Sequence, residues 1–235
     1  ESVKEAVSLL SDYSEKGFKT VFDLESLTDR YEDRLGKYLV RITNVTLSDD
    51  QASTVGEYLH VVTDFERISD HALNIAQSAR ELSEKKISFS NIGVREMNVL
   101  SNAILEILSI SLHSFTEGDA SLGYKVEPLE SRIDDLCNEM KTRHVTRLTK
   151  GQCTFQQGYV FNDLLSNFER ISDHCSNIGL AVLELSAPSL NPHEYTGSIK
   201  EMRSHGFDDS YKAYRERFRL PDSESPAVNN AENNN

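Results

Sequence analysis

A repeated hexapeptide is the feature of this sequence that most constrains its fold. The string ERISDH occupies residues 66–71 and again residues 169–174, which are 103 positions apart in a chain of 235 residues. Around both copies, apolar residues recur with alternating spacings of four and three, as in a helix that packs against a neighbour. They run from Val61 to Leu82 in the first copy and from Leu164 to Leu185 in the second. The sequence therefore predicts the duplication of one helical unit.

A second apolar stripe, upstream of each hexapeptide, supports the same duplication. Its spacing is preserved at an offset of 105 residues. The first copy contains Val21, Leu24, Thr28, Tyr31 and Leu35, and the second contains Val126, Leu129, Ile133, Leu136 and Met140. A stripe of this kind faces an adjacent helix in a bundle. With one further helix in front of each copy, the repeating unit becomes three antiparallel helices.

The whole chain is predicted to be all-α, because it has only 11 Gly, 5 Pro and no Trp. We expect two tandem antiparallel three-helix bundles at 1–86 and 92–187, and a short C-terminal helix within an extra segment at 188–218. The amphipathic part of that segment is expected at about 194–216, and a disordered tail at 219–235. The first helix of the second bundle should end at Glu117-Gly118-Asp119, and Glu15-Lys16-Gly17 is the matching stop in the first bundle. Only 14 residues precede Glu15, so we expect a shortened first helix from a longer natural chain.

The charge and the cysteines indicate the setting in which the chain works. A net charge of −13 disfavours nucleic acid and anionic membrane surfaces and suits cationic partners, metal ions included, although solubility alone is an alternative reason for it. Three cysteines without a C-x-x-C motif predict reduced thiols and a cytoplasmic location. We find no apolar run that approaches the roughly 18–20 residues of a membrane span.

Pairs of acidic residues one helical turn apart form the strongest candidate site. If the helices pack antiparallel, four carboxylates converge in each bundle, and a hard cation would relieve their repulsion. Random placement would also give about six acidic pairs at this spacing, so solvated acidic faces remain an alternative. The predicted metal ligands are Glu25, Asp29, Glu66, Asp70, Glu130, Asp134, Glu169 and Asp173.

Other residues of the repeated string are assigned supporting roles. His71 and His174 fall on a different face of their helices from the carboxylates, which favours a surface position or hydrogen bonding between helices over metal ligation. Asn74 and Asn177 lie one turn beyond the aspartates and are expected to support them. The arginine of each hexapeptide is expected to pair with nearby acids.

The residues around both copies of the hexapeptide resemble the signature of a known family. FERISDHALNIA (65–76) and FERISDHCSNIG (168–179) resemble the signature of PhoU-like proteins, which carry ERIGDH followed by Asn-Ile. Ser69 and Ser172 stand where that family usually has Gly. The resemblance covers about residues 1–187 and implies two tandem three-helix bundles. It also implies that the four acidic pairs match E(D)-x-x-x-D motifs, which hold multinuclear clusters of divalent or trivalent metal ions, iron, zinc or another, in some members.

The shortened first helix and the C-terminal segment make the resemblance more specific. The shortened first helix and the segment KAYRERF (212–218) resemble the cytoplasmic tail of bacterial sodium/phosphate cotransporters of the type-II-related class. This implies a metal-binding regulatory domain of phosphate transport or signalling, tethered to the membrane through a transporter portion of the same chain. A free-standing PhoU regulator of phosphate uptake is the alternative. Phosphate-transport machinery is then the expected partner, nucleic acid is not, and a homodimer stays open.

Two other classes of function compete with regulation. A di-metal carboxylate oxidase uses paired E-x-x-H motifs from two helices, and this chain has one, Glu57 to His60, without a counterpart in the second copy. The sequence also has no P-loop and no G-x-S-x-G or H-E-x-x-H motif, so we predict that it is not an enzyme. A scaffold with solvated acidic faces is the remaining alternative.

Overall fold

A computed structural model of the chain describes residues 1–186 and 206–222. Within these residues the chain forms seven helices and no strand, so the predicted all-α fold is confirmed. The helices are α1 (Ser2–Leu9), α2 (Glu15–Thr43), α3 (Asp49–Glu84), α4 (Asn91–Glu117), α5 (Ala120–Thr149), α6 (Phe155–Ser186) and α7 (Phe207–Arg217).

The helices form two bundles that pack through their last members. Helices α1, α2 and α3 make the first bundle, and α4, α5 and α6 make the second. The two helices that carry the hexapeptide, α3 and α6, pack against each other, and α7 packs on α5. The acidic pairs of each bundle lie on its second and third helices.

Local sequence signals explain where several helices begin and end. Helix α3 begins with a capping box between Ser48 and Gln51. Helix α4 ends at Glu117 as predicted, and Gly118 follows it with a φ of 64°, a left-handed conformation that glycine adopts without strain.

The predicted stop at Glu15-Lys16-Gly17 is wrong. Helix α1 already ends at Leu9, and the Ser14 hydroxyl caps α2 by accepting a hydrogen bond from the Gly17 amide. Gly17 lies in the first turn of α2, where an added Cβ would stand 2.7 Å from the Glu5 carboxylate and 2.8 Å from the Leu9 side chain. The glycine lets the side chains of α1 approach α2 closely there, and it does not end a helix.

The two upstream stripes differ in burial, although their sequence pattern is the same. In the second bundle all five stripe residues of α5 are buried beneath neighbouring helices. In the first bundle Val21 is buried, whereas Tyr31 and Leu35 are exposed. The prediction that the stripe faces a neighbouring helix therefore holds only for the front part of α2, because α1 has 8 residues and α4 has 27.

The C-terminal segment is held against α5 beyond its predicted boundary. Phe218 and Leu220 are buried, and Arg132 and Arg143 of α5 donate hydrogen bonds of 2.7 Å to the carbonyls of Phe218 and Pro221. Residues 219–222 were predicted to open the disordered tail, but their backbone and apolar contacts place them on the second bundle. The remaining tail, 223–235, and the front of the predicted amphipathic segment, 194–205, lie outside the described residues.

Helix α4 is long and apolar enough to cross a membrane by length and composition, which corrects the expectation that no segment reaches that size. In the structure it is a core helix of the second bundle, where Ile104 and Ile107 are fully buried. Glu96 near its start is also fully buried and forms ion pairs of 3.2 Å with Arg143 and 2.8 Å with Arg147. Core helices commonly satisfy the same length criterion, so α4 by itself does not indicate a membrane span.

Candidate metal centre

Three carboxylates of the second bundle lie close together between α5 and α6. Glu130 and Asp134 are one turn apart on α5, and Asp173 faces them from α6. One carboxylate oxygen from each of the three lies within 4.8 Å of the other two. Asp134 Oδ1 is buried and has no hydrogen-bond partner among the described residues. A buried carboxylate oxygen without a partner is costly unless a cation or a proton compensates it.

The electrostatics of this cluster favour a neutral or cation-bound state. Burial, followed by the charge of Asp134, raises the pKa of Glu130 to about 8. Burial and the charges of Glu169 and Asp173 raise the pKa of Asp134 to about 6. Burial also raises the pKa of Asp173. Mutual repulsion in a partly dehydrated site therefore adds to the cost of ionisation.

The fourth predicted ligand of this bundle, Glu169, is engaged by a protein cation. Lys141 Nζ lies 2.7 Å from Glu169 Oε2. Arg170 pairs with Asp173 at 3.4 Å, which confirms the local pairing predicted for the hexapeptide arginine. Lys141 had no role in the sequence prediction, because it lies two turns beyond Asp134 on α5. It partly supplies the positive charge that a metal ion would bring.

The donor set at Glu130, Asp134 and Asp173 fits a hard divalent cation. It consists of carboxylate oxygens, which Mg²⁺, Mn²⁺ and Fe²⁺ prefer, and which Zn²⁺ also accepts. The unpartnered Asp134 oxygen gives such an ion a ligand that no protein group occupies. Three protein ligands leave further coordination positions for water or another small ligand.

The first bundle arranges its predicted ligands differently. Glu66 and Asp70 are half-buried, and Arg67 pairs with them at 3.5 and 3.6 Å. Burial, followed by the charge of Asp70, raises the pKa of Glu66. On α2, Glu25 is half-buried and Asp29 is exposed. Among the described residues, these four carboxylates form no group of three with ligand atoms within 4.8 Å.

Glu32 is a further acid of the first bundle that the sequence pattern did not single out. Its charge contributes to the raised pKa of Glu66, and it is half-buried on α2. It follows Glu25 by seven residues, which puts both on one face of the helix. A search for acids at i+7 as well as i+4 would have found it.

The histidines of the repeated string connect the two bundles. His174 Nδ1 lies 2.7 Å from Asp64 Oδ1, and His71 Nδ1 lies 3.0 Å from Asn167 Oδ1. The two imidazole rings stack with their centres 5.8 Å apart. The predicted role in hydrogen bonding between helices is confirmed. Asn177 was expected to support Asp173, but its amide donates to Asp64 at 3.1 Å.

A separate cleft of about 850 Å³ lies between α5 and α7. Arginines, acids and a tyrosine line it, so its charges are mixed in sign. The Tyr211 hydroxyl donates to Asp135, and Arg143 pairs with Glu139 at 2.6 Å. Because these side chains and Arg132 hold α7 and the following residues in place, we assign them a structural role.

The chain is similar in sequence to a known family and to several known proteins. The family model described as PhoU domain matches residues 1–79 and 97–182. The phosphate-specific transport system accessory protein PhoU homolog 1 of Thermotoga maritima is 23% identical over 182 residues, which is 76% of each chain. The PhoU homolog of Aquifex aeolicus is 26% identical over 141 residues, which is 60% of this chain and 61% of that protein.

Solved structures show the same fold. The crystal structure of PhoU from Pseudomonas aeruginosa has a TM-score of 0.74 and 23% identity, and the match covers 80% of this chain and 90% of that one. The phosphate transport system regulatory protein PhoU from Streptococcus pneumoniae has a TM-score of 0.69 and 16% identity, with coverage of 81% and 88%. At these sequence identities, the structural similarity supports a conclusion about the fold alone.

Proposed function

Because the chain belongs to the PhoU domain family, we propose that it regulates phosphate transport by binding other proteins and is not an enzyme. The family match covers both bundles, and the relatives above are described as accessory proteins of phosphate-specific transport. The partner we propose is phosphate-transport machinery, and the free-standing form of the regulator agrees best with those relatives. The cytoplasmic location remains a prediction, and so does a homodimer.

The regulator we propose holds a divalent cation between α5 and α6. The observation that carries this part is the convergence of Glu130, Asp134 and Asp173, with one buried oxygen left without a partner. A bound cation would neutralise the carboxylates and tie the two helices together. Since α6 also forms the junction with α3, metal occupancy would change the stiffness of the surface that the two bundles share.

Metal binding is tested directly on the purified protein. The chain is incubated with Mn²⁺, Fe²⁺ or Zn²⁺, freed of excess metal and examined by elemental analysis. We expect bound metal in the wild type, loss in Asp134→Asn, and retention in Asp33→Asn, which changes an exposed acid of α2. Equal metal content in the two variants, or none in the wild type with any of the ions, would remove this part of the proposal.

The regulatory role is tested in cells. We expect cells that lack the gene to lose the dependence of phosphate uptake on external phosphate, and the wild-type gene to restore it. A variant that binds no metal separates the two parts of the proposal, because restored regulation would assign the cation to stability alone. Uptake that responds normally without the gene would contradict the regulatory role.

Attachment to a sodium/phosphate cotransporter stays a separate prediction. The segment that motivates it, residues 212–218, forms the end of α7 and Phe218, which is buried on the second bundle. The relatives reported above are accessory proteins, which favours the free-standing form. Several apolar runs of about 18 or more residues upstream in the reading frame would favour the cotransporter instead.

An oxidase has little support in the site. The E-x-x-H pair that such an enzyme would use, Glu57 to His60, lies near the start of α3, and burial and the charge of Glu184 raise the pKa of Glu57. These residues are not members of the carboxylate cluster on α5 and α6.

A further inference from the structure

Lys141 is a protein cation that contacts the predicted metal ligands of the second bundle. Its Nζ lies 2.7 Å from Glu169 Oε2, and 34% of its side chain is exposed. It follows Asp134 by seven residues on α5, which puts the two side chains on the same face of that helix. Lys141 therefore lies beside the three-carboxylate group and binds the one predicted ligand of this bundle that is outside the group.

The charge of Lys141 acts on the other groups between α5 and α6. Burial and the charges of Glu169 and Asp173 raise the pKa of Asp134, and the charge of Lys141 partly offsets this rise. Cys137 is a buried thiol between Asp134 and Lys141 on α5. Burial and the charge of Glu169 raise its pKa to about 12, and Lys141 again opposes the rise. The lysine is thus close enough to affect the electrostatics of the whole cluster.

The internal duplication shows that the acidic pair on the second helix of a bundle does not require this lysine. At the offset of 105 residues, Lys141 corresponds to Gly36, and the acidic pair is identical in both copies. Cys137 corresponds to Glu32 at the same offset. The second copy therefore has a cation in place of glycine and a neutral thiol in place of an acid. Together these two differences equal the charge of one divalent cation.

The charge balance of the second bundle limits the number of cations that it can hold. Its four predicted ligands have a formal charge of −4 when ionised. One divalent cation and the ammonium group of Lys141 reduce this to −1, and a second divalent cation would make it positive. Without Lys141, a second divalent cation would instead bring the charge to zero. Arg170 changes this balance little, because its side chain is 67% exposed and water screens its charge.

We propose that the ammonium group of Lys141 takes the place of one divalent cation in the second bundle. Glu169 then binds the lysine and is not available as a ligand for a second metal ion. This inference rests on the metal site of the proposed function and adds the number of ions to it. The alternative is an ion pair that has no effect on metal binding, since partly exposed pairs of this kind are common on protein surfaces.

Counting bound Mn²⁺ tests the proposal on the 235-residue chain. Each protein is incubated with excess Mn²⁺ and freed of unbound metal, and its Mn²⁺ content per chain is measured by elemental analysis. We expect Lys141→Met to hold one more Mn²⁺ per chain than the wild type, because methionine keeps a long, helix-favouring side chain and removes the charge. The difference between the two proteins cancels ions that bind elsewhere on this acidic chain. Equal Mn²⁺ content overturns the proposal.

A double variant tests where the added ion binds. We expect Lys141→Met combined with Glu169→Gln to return to the Mn²⁺ content of the wild type. The reason is that the side chain released by the lysine is then an amide, which is a much weaker ligand for a hard cation than a carboxylate. An added ion that persists in the double variant binds elsewhere and contradicts the proposal.

Two single variants separate the charge of Lys141 from a general effect of substitution. Lys141→Arg keeps the positive charge, so we expect the Mn²⁺ content of the wild type. Lys85→Met removes the lysine of another partly exposed ion pair, in which Lys85 lies 2.8 Å from Glu81, and it should also leave the Mn²⁺ content unchanged. An added ion in either variant would show that the count does not report the charge beside Glu169, and would overturn the proposal.

The same counts distinguish this proposal from the metal site on which it rests. One ion in the wild type and two in Lys141→Met support both. No ion in the wild type and one in Lys141→Met would remove the cation from the proposed function and support the lysine as its replacement. One ion in both proteins would keep the metal site and overturn the role of Lys141. No ion in either protein would overturn both.

Discussion

Replacing Glu130 with glutamine tests the electrostatics of the carboxylate cluster. Burial and neighbouring charge raise the pKa of this carboxyl from the usual 4.5 to about 8 in the folded protein. Since the folded state holds the proton more tightly than the unfolded state, stability falls as pH rises from about 4.5 to about 8. At 1.36 kcal/mol per pKa unit the full loss is about 5 kcal/mol, and solvent screening of a partly exposed group reduces it to about 2 kcal/mol.

Urea unfolding of the metal-free protein in a chelator measures this effect. Between pH 5 and pH 9 we expect the wild type to lose about 2 kcal/mol more stability than Glu130→Gln, because the amide cannot ionise. Glu25→Gln is the matched control, since Glu25 holds the equivalent position of the first copy but lies outside the three-carboxylate group. The reasoning fails if Glu130→Gln and Glu25→Gln have the same pH profile, or if Glu130→Gln is the less stable protein at pH 9. A saturating cation should reverse the order at pH 9, because it stabilises only the intact cluster.

Three further predictions concern other parts of the molecule. Asp64→Ala should destabilise the protein by about 2 kcal/mol in urea unfolding near neutral pH, because it leaves His174 without its buried partner. Leu220→Ala should lower the free energy of unfolding by about 2 kcal/mol in urea unfolding, because Leu220 is buried. An unchanged free energy of unfolding would mean that the docked segment contributes nothing to stability. In the native protein at pH 8, a thiol reagent should label Cys153 and leave Cys175 unmodified, because burial raises the pKa of Cys175 to about 12. Mass spectrometry of the labelled peptides checks this, and rapid labelling of Cys175 would contradict it.

Periodicity predicted the helices well because it reports which face of a segment is apolar. The two stripes and the repeated string were sufficient to identify six helices and their grouping into bundles. Periodicity does not report whether a neighbouring helix is present to cover that face. For this reason Tyr31 and Leu35 were predicted to face a helix, although they are exposed in the structure.

The candidate site was predicted less completely, because sequence spacing fixes positions within a helix and not distances between helices. The i, i+4 rule placed Glu130 and Asp134 on one face, and the packing of α6 on α5 then brought Asp173 to them. The rule could not anticipate that Lys141 would engage Glu169, or that Asp29 would be exposed. The docking of residues 218–222 depends on contacts with distant arginines, which no local pattern encodes.

The repeated hexapeptide makes different contacts on two faces of each helix. Its glutamate and aspartate face the acid-bearing helix of their own bundle, and its histidine faces the other bundle. Because α3 and α6 pack against each other, the equivalent residues of the two copies meet there, and His71 stacks on His174. Their partners are equivalent by the offset of 103 residues, yet one is Asp64 and the other Asn167. A second aspartate would place two buried anions at the junction, so the single amide keeps both hydrogen bonds while halving the charge that must be compensated.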